Sequence, residues 1–254
     1  ALSPADPAAA WTTRGRHKVM FGYSLNYLID LANAIIVDVE ATPTRISKEV
    51  DATETMIERT VARFALAPDT LAADVAYGTG AMLGWLVGRG IDPHIPVWDQ
   101  SEVSANGKFA RADFAYDHER DLYTCPAGKE LKTSGTAHDG TTIKYIAKRS
   151  DCAVCPLKRH CTTGLERRIS RDVHQDARDY AQALMQTEAY RVSRSARKKI
   201  ETLFGDAKHN LALVRLRLRG LSGARDEFLL TAAVQNLKRL AVHATRPPPQ
   251  PMTA

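Results

Sequence analysis

Apolar and polar positions follow different periods along the chain. Residues 19–26 and 34–40 are short runs suited to strands, and Asp30 to Asn33 between them supplies a turn, so the pair predicts a hairpin. Residues 47–64 show the charged and apolar spacing of an amphipathic helix. Residues 70–75 form a short apolar strand candidate that runs into Ala73-Asp74-Val75-Ala76-Tyr77-Gly78. Residues 79–89 read as a helix closed by Gly90 at C′, where a left-handed residue ends a helix at least cost. Residues 91–97 read as another strand. Strand, helix, strand at this spacing predicts a βαβ unit and a partly parallel sheet.

The pattern then changes. Residues 99–165 are polar, rich in turn residues and hold every cysteine, so they read as an insertion. From Ile169 onward the pattern is helical, with candidates at 174–186, 188–210 and 223–243. Residues 211–219 alternate Leu and Arg, and on a strand Arg215, Arg217 and Arg219 would share one face. The Pro-rich end cannot pack. The division this predicts is a first core part at 15–98, an insertion at 99–165, a helical return at 166–245 and a disordered tail at 246–254. No internal repeat is present.

Composition narrows the class. The chain has 254 residues, 44% hydrophobic and 25% charged, which is ordinary for a globular protein. No apolar run reaches the roughly 18 residues of a membrane span. Lys and Arg number 35 against 29 acids, a net charge of +6. The excess is concentrated between Arg191 and Arg219, where Glu201 and Asp206 are the acids. A clustered excess of cations points to a polyanionic partner. The chain opens without an export signal, so a reducing cytosol is expected.

Two carboxylates stand out. Asp74 follows an apolar strand candidate, and in open α/β sheets ligands bind beyond the carboxyl ends of strands. Taken alone, a helix-capping role explains it as well. Glu201 lies in Arg197-Lys198-Lys199-Ile200-Glu201, and on a helix Arg197 and Lys208 share its face. A carboxylate flanked by cations suits a metal bound to phosphate, and it equally suits a solvated helix face with one ion pair.

Together these segments resemble the catalytic part of a bacterial insertion-sequence DDE transposase. The resemblance runs through SPADPAAAWTTRGRHKVMFGYSLNYLID, LAADVAYGTGAMLGWLVGRGIDPHIPV, RKKIETLFGDAKHNLALVRLRLRGL and LLTAAVQNLKRLAVHA. Asp74 matches the family's second Asp, and Arg197, Glu201 and Lys208 match three positions of its Tyr-x2-Arg-x3-Glu-x6-Lys pattern. Arg194 stands where the family has Tyr. The first family Asp lies before the SPADP segment, so Asp6, Asp30 and Asp38 are not carried over as catalytic. The resemblance implies an α/β, RNase H-like mixed sheet flanked by helices, with carboxylates that bind Mg²⁺ or Mn²⁺. Asp74 and Glu201 would be metal ligands and catalytic residues. Arg194, Arg197, Lys198, Lys208, Arg215 and Arg217 would contact DNA.

The cysteines follow C-x26-C-x2-C-x5-C over Cys125, Cys152, Cys155 and Cys161. A C-x2-C pair sets two thiolates at tetrahedral bite for zinc, and four thiolates close a structural site. The same spacing can hold an iron–sulfur cluster. The bland reading is four free thiols in a polar loop. Basic neighbours Lys148, Arg149, Lys158 and Arg159 add either a DNA-facing surface or plain solvation.

The expected function is metal-dependent DNA strand cleavage and transfer in transposition, on transposon ends and target duplex. Without the first Asp, this stretch is expected to be inactive as it stands. The alternative is a non-catalytic DNA-binding remnant. A structural-metal nuclease unrelated to transposition is a third reading. A cytoplasmic, nucleoid location, a homodimer on DNA and no membrane partner complete the expectations.

Overall fold

The computed structural model describes residues 2–13, 19–44, 46–98, 107–137 and 140–245. The elements, in order, are β1 (Ala10–Thr13), β2 (Val19–Asp30), β3 (Ile35–Pro43), α1 (Ile46–Phe64), β4 (Thr70–Ala72) and α2 (Gly80–Gly88). There follow β5 (Asp92–His94), β6 (Ala115–Asp117), β7 (Leu122–Thr124), β8 (Glu130–Ala137), β9 (Thr142–Ala147), α3 (Arg149–Ala153) and α4 (Lys158–Cys161). The chain closes with β10 (Arg168–Asp172), α5 (Gln175–Leu184), α6 (Glu188–Ala196), α7 (Lys198–His209) and α8 (Gly220–Thr245). This is a mixed α/β protein. Among the described residues no helix is long and apolar enough to cross a membrane. It forms two compact units, Ala1–Tyr77 with Thr187–Ala254, and Gly78–Gln186.

In the first unit β1, β2 and β3 make an antiparallel sheet. The β2–β3 turn is set by Asp30, whose carboxylate accepts the Ala32 amide at 2.9 Å and the Asn33 side chain at 2.6 Å. Side chains of β2 and β3 pack on α7 and α8 through Ile36, Val39, Ala41, Leu203, Ala224 and Phe228. Burying such apolar groups is the main favourable term, about 1.5–3 kcal/mol for each large side chain. Tyr27 stacks on Phe204 with ring centroids 5.2 Å apart. The register slips between Leu28 and Ile29, and nearby Asn236 bonds both the amide and the carbonyl of Ile36 at 2.9 and 2.8 Å. A side-chain amide therefore does there what a neighbouring strand would do. Arg59 of α1 clamps Asp38 and Glu40 of β3 at 2.7 and 2.8 Å.

Asp6 fastens the leading segment. Its carboxylate accepts the Tyr23 hydroxyl at 2.7 Å and the Gly220 amide at 2.9 Å. These bonds, the Gly220 amide first, hold its pKa below the ordinary carboxylate value. Burial and the Asp6 carboxylate push the Tyr23 hydroxyl up to about 12.

The second unit is built on the antiparallel sheet β10-β9-β8-β7-β6. Its core joins Phe114, Tyr123, Leu131, Tyr145 and Ile169 to Cys161. Arg171 is buried, lies 3.9 Å over the Tyr116 ring and pairs with Asp176. Thr79 caps α2 by accepting the Met82 amide at 3.3 Å, and Gly90 takes φ +71° after it. The cysteine-bearing stretch 99–165 lies within this unit, together with α2, β5, β10 and α5.

Three expectations change. The 91–97 run is a strand only over Asp92–His94. The 188–210 helix is two, α6 and α7, joined at Arg197, where the Ile200 amide bonds back to the Arg197 carbonyl at 2.9 Å. The Leu–Arg alternation at 211–219 is not a strand. Ala212 takes φ +56° and Gly220 φ +76°, which break extension at both ends. Glu227 accepts the amides of Arg217 and Leu218 at 2.7 and 2.6 Å, donors that a strand would have offered to a neighbour. The proposed tail at 246–254 lies outside the described residues.

Candidate metal and nucleic-acid site

Asp74 follows β4 directly. Its carboxylate accepts the Ala76 amide at 3.0 Å and its carbonyl accepts the Tyr77 amide at 3.1 Å, winding a 3₁₀ turn, Val75–Tyr77. The side chain remains exposed at that turn. Glu201 stands in the first turn of α7, also exposed. Both line one cleft of about 680 Å³ in the first unit. Arg197, Lys208 and Arg215 line the same cleft. Arg194, Lys198 and Arg217 are exposed but do not line it.

Arg197 carries a telling detail. Its Nη1 is buried and has no hydrogen-bond partner. A buried guanidinium nitrogen without an acceptor costs free energy, roughly 1–3 kcal/mol or more for a charged group. An anion entering the cleft would remove that cost.

Two further cleft residues were not singled out from sequence. Glu49 of α1 accepts the Ser24 hydroxyl at 2.6 Å. Tyr77 is raised to about 12 by burial, with Glu49 and Asp74 adding to it and a Thr53 hydrogen bond opposing. Its hydroxyl is therefore protonated at neutral pH. Nothing in the sequence separates Glu49 from the other acids of an amphipathic helix. Asp6, Asp30 and Asp38 are engaged as described above, by Tyr23 and Gly220, by their own turn and by Arg59.

The donor chemistry suits a small hard cation that keeps most of its water. Mg²⁺ is bound through one or two carboxylates, with phosphate oxygens and water completing the shell. Two carboxylates beside three cations fit that pattern. Among the described residues no three His, Cys, Asp or Glu side chains are arranged to cage a metal by themselves.

The same holds for the cysteines, although they are neighbours. Cys161 is buried, and Cys125 and Cys152 pack on the same apolar cluster. Burial chiefly pushes the Cys161 thiol up, Arg167 pulls it down, and the other three cysteines push it further up. Cys125 sits in a tight knuckle: its amide donates to the Lys129 carbonyl at 2.9 Å, and the Lys129 amide donates to its Sγ at 3.3 Å. Gly128 makes the knuckle possible with φ +73°.

Residues 124–241 match the family described as Transposase DDE domain. Neither a curated protein nor a solved structure matches the chain.

Proposed function

Because residues 124–241 match the transposase DDE domain family, we propose that this chain carries Asp74 and Glu201 as two carboxylates of the catalytic site of a DNA transposase. The reaction is metal-dependent strand cleavage and transfer on duplex DNA, at transposon ends and target. What carries the reading is that Asp74 lines one cleft with Arg197, Glu201 and Lys208, though it is distant from them in the sequence.

Asp74 and Glu201 would hold Mg²⁺ or Mn²⁺, which supplies Lewis-acid activation of a phosphodiester. Arg197, with its unpartnered Nη1, receives a phosphate oxygen. Lys208 and Arg215 neutralise the flanking backbone. Tyr77, protonated at neutral pH, can donate to an oxygen beside Asp74. Arg194, Lys198 and Arg217 add exposed charge that attracts DNA from a distance. An RNase H-like core agrees with the order of antiparallel β1-β2-β3, α1 and then β4 leading to Asp74.

For the cysteine cluster the proposal is a structural Zn²⁺ held by Cys125, Cys152, Cys155 and Cys161, with an iron–sulfur cluster as the competing occupant. The packing of Cys125, Cys152 and Cys161 on one apolar cluster and the C-x2-C spacing of Cys152 and Cys155 motivate this reading. A homodimer on DNA and a cytoplasmic, nucleoid setting belong to the same reading. Titrating the protein with duplex DNA with and without Mg²⁺ tests the catalytic-site reading: Mg²⁺ should tighten binding, and Asp74→Asn should remove that effect. Equal tightening in Asp74→Asn would remove the assignment.

A further inference from the structure

The second unit holds another cleft, of about 390 Å³, lined by Arg111, Arg178, Thr142, Ser170 and Trp98 among others. Its floor is one face of β9 and β10. Asp172 pairs with Thr142 in register, and Ser170 lies two residues away on the same side. The opposite face of these strands, with Tyr145, Ile169 and Arg171, is buried. One wall is α5, from which Gln175, Arg178 and Gln182 project along a single helical stripe.

The charges of the described lining residues do not cancel. Arg178 spends its guanidinium on the carbonyls of Gly78 and Trp98, at 3.1 and 3.4 Å, and so holds the cleft edge. The one acid among the described lining residues, Asp172, accepts the His174 amide at 2.8 Å and lies against Gly80, where a Cβ would meet its oxygens at 2.6 Å. The Arg111 guanidinium has no hydrogen-bond or ion-pair partner among the described residues, and neither do the hydroxyls of Thr142 and Ser170. A free guanidinium beside two free hydroxyls is the donor set that recognises phosphate.

We propose that this cleft is a second DNA-binding site, in which Arg111, Thr142 and Ser170 hold a backbone phosphate. It rests on the DNA reading above but uses none of the residues of the carboxylate cleft. Trp98, 71% exposed at its rim, gives the site its own optical reporter.

The test uses the full chain carrying Trp11→Phe and Trp85→Phe, which leaves Trp98 as the only indole. Duplex DNA should change Trp98 emission. Arg111→Ala should abolish that change, weaken duplex binding by about fivefold and lower the salt slope by about 0.9. Arg111→Lys should recover part of the affinity. Lys208→Ala serves as the separate arm for the carboxylate cleft. If Lys208→Ala weakens binding while Arg111→Ala leaves affinity, salt slope and Trp98 emission unchanged, this site is refuted and the first survives. If Trp98 responds to inorganic phosphate but not to duplex, the cleft takes a small anion and the DNA assignment is overturned.

Discussion

Arg197 and Glu201 line one cleft from either side of the α6–α7 junction, the arginine at the break and the glutamate in the first turn beyond it. The Arg197 Nη1 is left buried without an acceptor. Arg197→Lys keeps the charge but loses the planar fork. It is expected to weaken duplex binding by roughly tenfold, measured by fluorescence anisotropy at fixed salt. Unchanged affinity would mean that the buried nitrogen has no phosphate to meet.

Lys208→Ala should act differently. A point charge on phosphate carries no base information, so all duplexes should weaken about equally and the salt slope should fall by about 0.9. A loss confined to particular sequences would place Lys208 at a base edge instead.

Much of the fold was legible in the sequence because its elements are strongly patterned. The β2–β3 hairpin, α1, α2 closed by Gly90, and α8 follow from apolar runs, amphipathic spacing and the C-terminal glycine. What was not legible depended on partners distant in sequence. The Leu–Arg alternation at 211–219 satisfies a strand pattern, but Glu227 takes the amides and the backbone turns. The stretch 99–165 looked like polar turns because strands such as Ala115–Asp117 and Leu122–Thr124 are too short to show a period. Its tyrosines pack on one another only once the sheet forms, with Tyr123 and Tyr145 ring centroids 5.0 Å apart.

Gly84 has a specific reason to be glycine. A Cβ there would stand 2.3 Å from His174 Nδ1. Gly84→Ala should destabilise the protein by about 1–3 kcal/mol through overpacking. His174→Ala in the same chain should recover most of that loss, since the two positions are coupled. A thermal melt of the single and double variants checks this; equal melting of both variants would locate the strain elsewhere.

The cysteine cluster predicts a metal-dependent melt. A strong chelator, or Cys161→Ser, should lower Tm, and elemental analysis of the untreated protein should find about one zinc per chain. Iron at cluster stoichiometry would select the competing occupant. Absence of both metals, with Tm indifferent to chelator, would leave four ordinary thiols.

Stability should fall in acid. Hydrogen bonds hold Asp6, Asp121 and Asp206 below the ordinary carboxylate value, led by Gly220, Tyr145 and Asn210 respectively. A depressed folded-state value means the unfolded chain binds protons first. The contribution is therefore complete above the unfolded range near ~pH 4 and is lost as pH falls through each lowered value. Asp121→Asn should flatten that acid limb when Tm is followed against pH. An unaltered limb would put the acid sensitivity in other groups.

The most direct test of the central claim is Mn²⁺ binding followed by electron paramagnetic resonance, with duplex DNA present. The account predicts that the protein removes free Mn²⁺ from solution, that Asp74→Asn and Glu201→Gln each weaken this by tenfold or more, in line with the loss of one of two protein ligands, roughly 1.4 kcal/mol per tenfold step, and that both variants still melt as the parent does. Mn²⁺ uptake that is the same in the parent and in both variants would contradict a metal centre at Asp74 and Glu201.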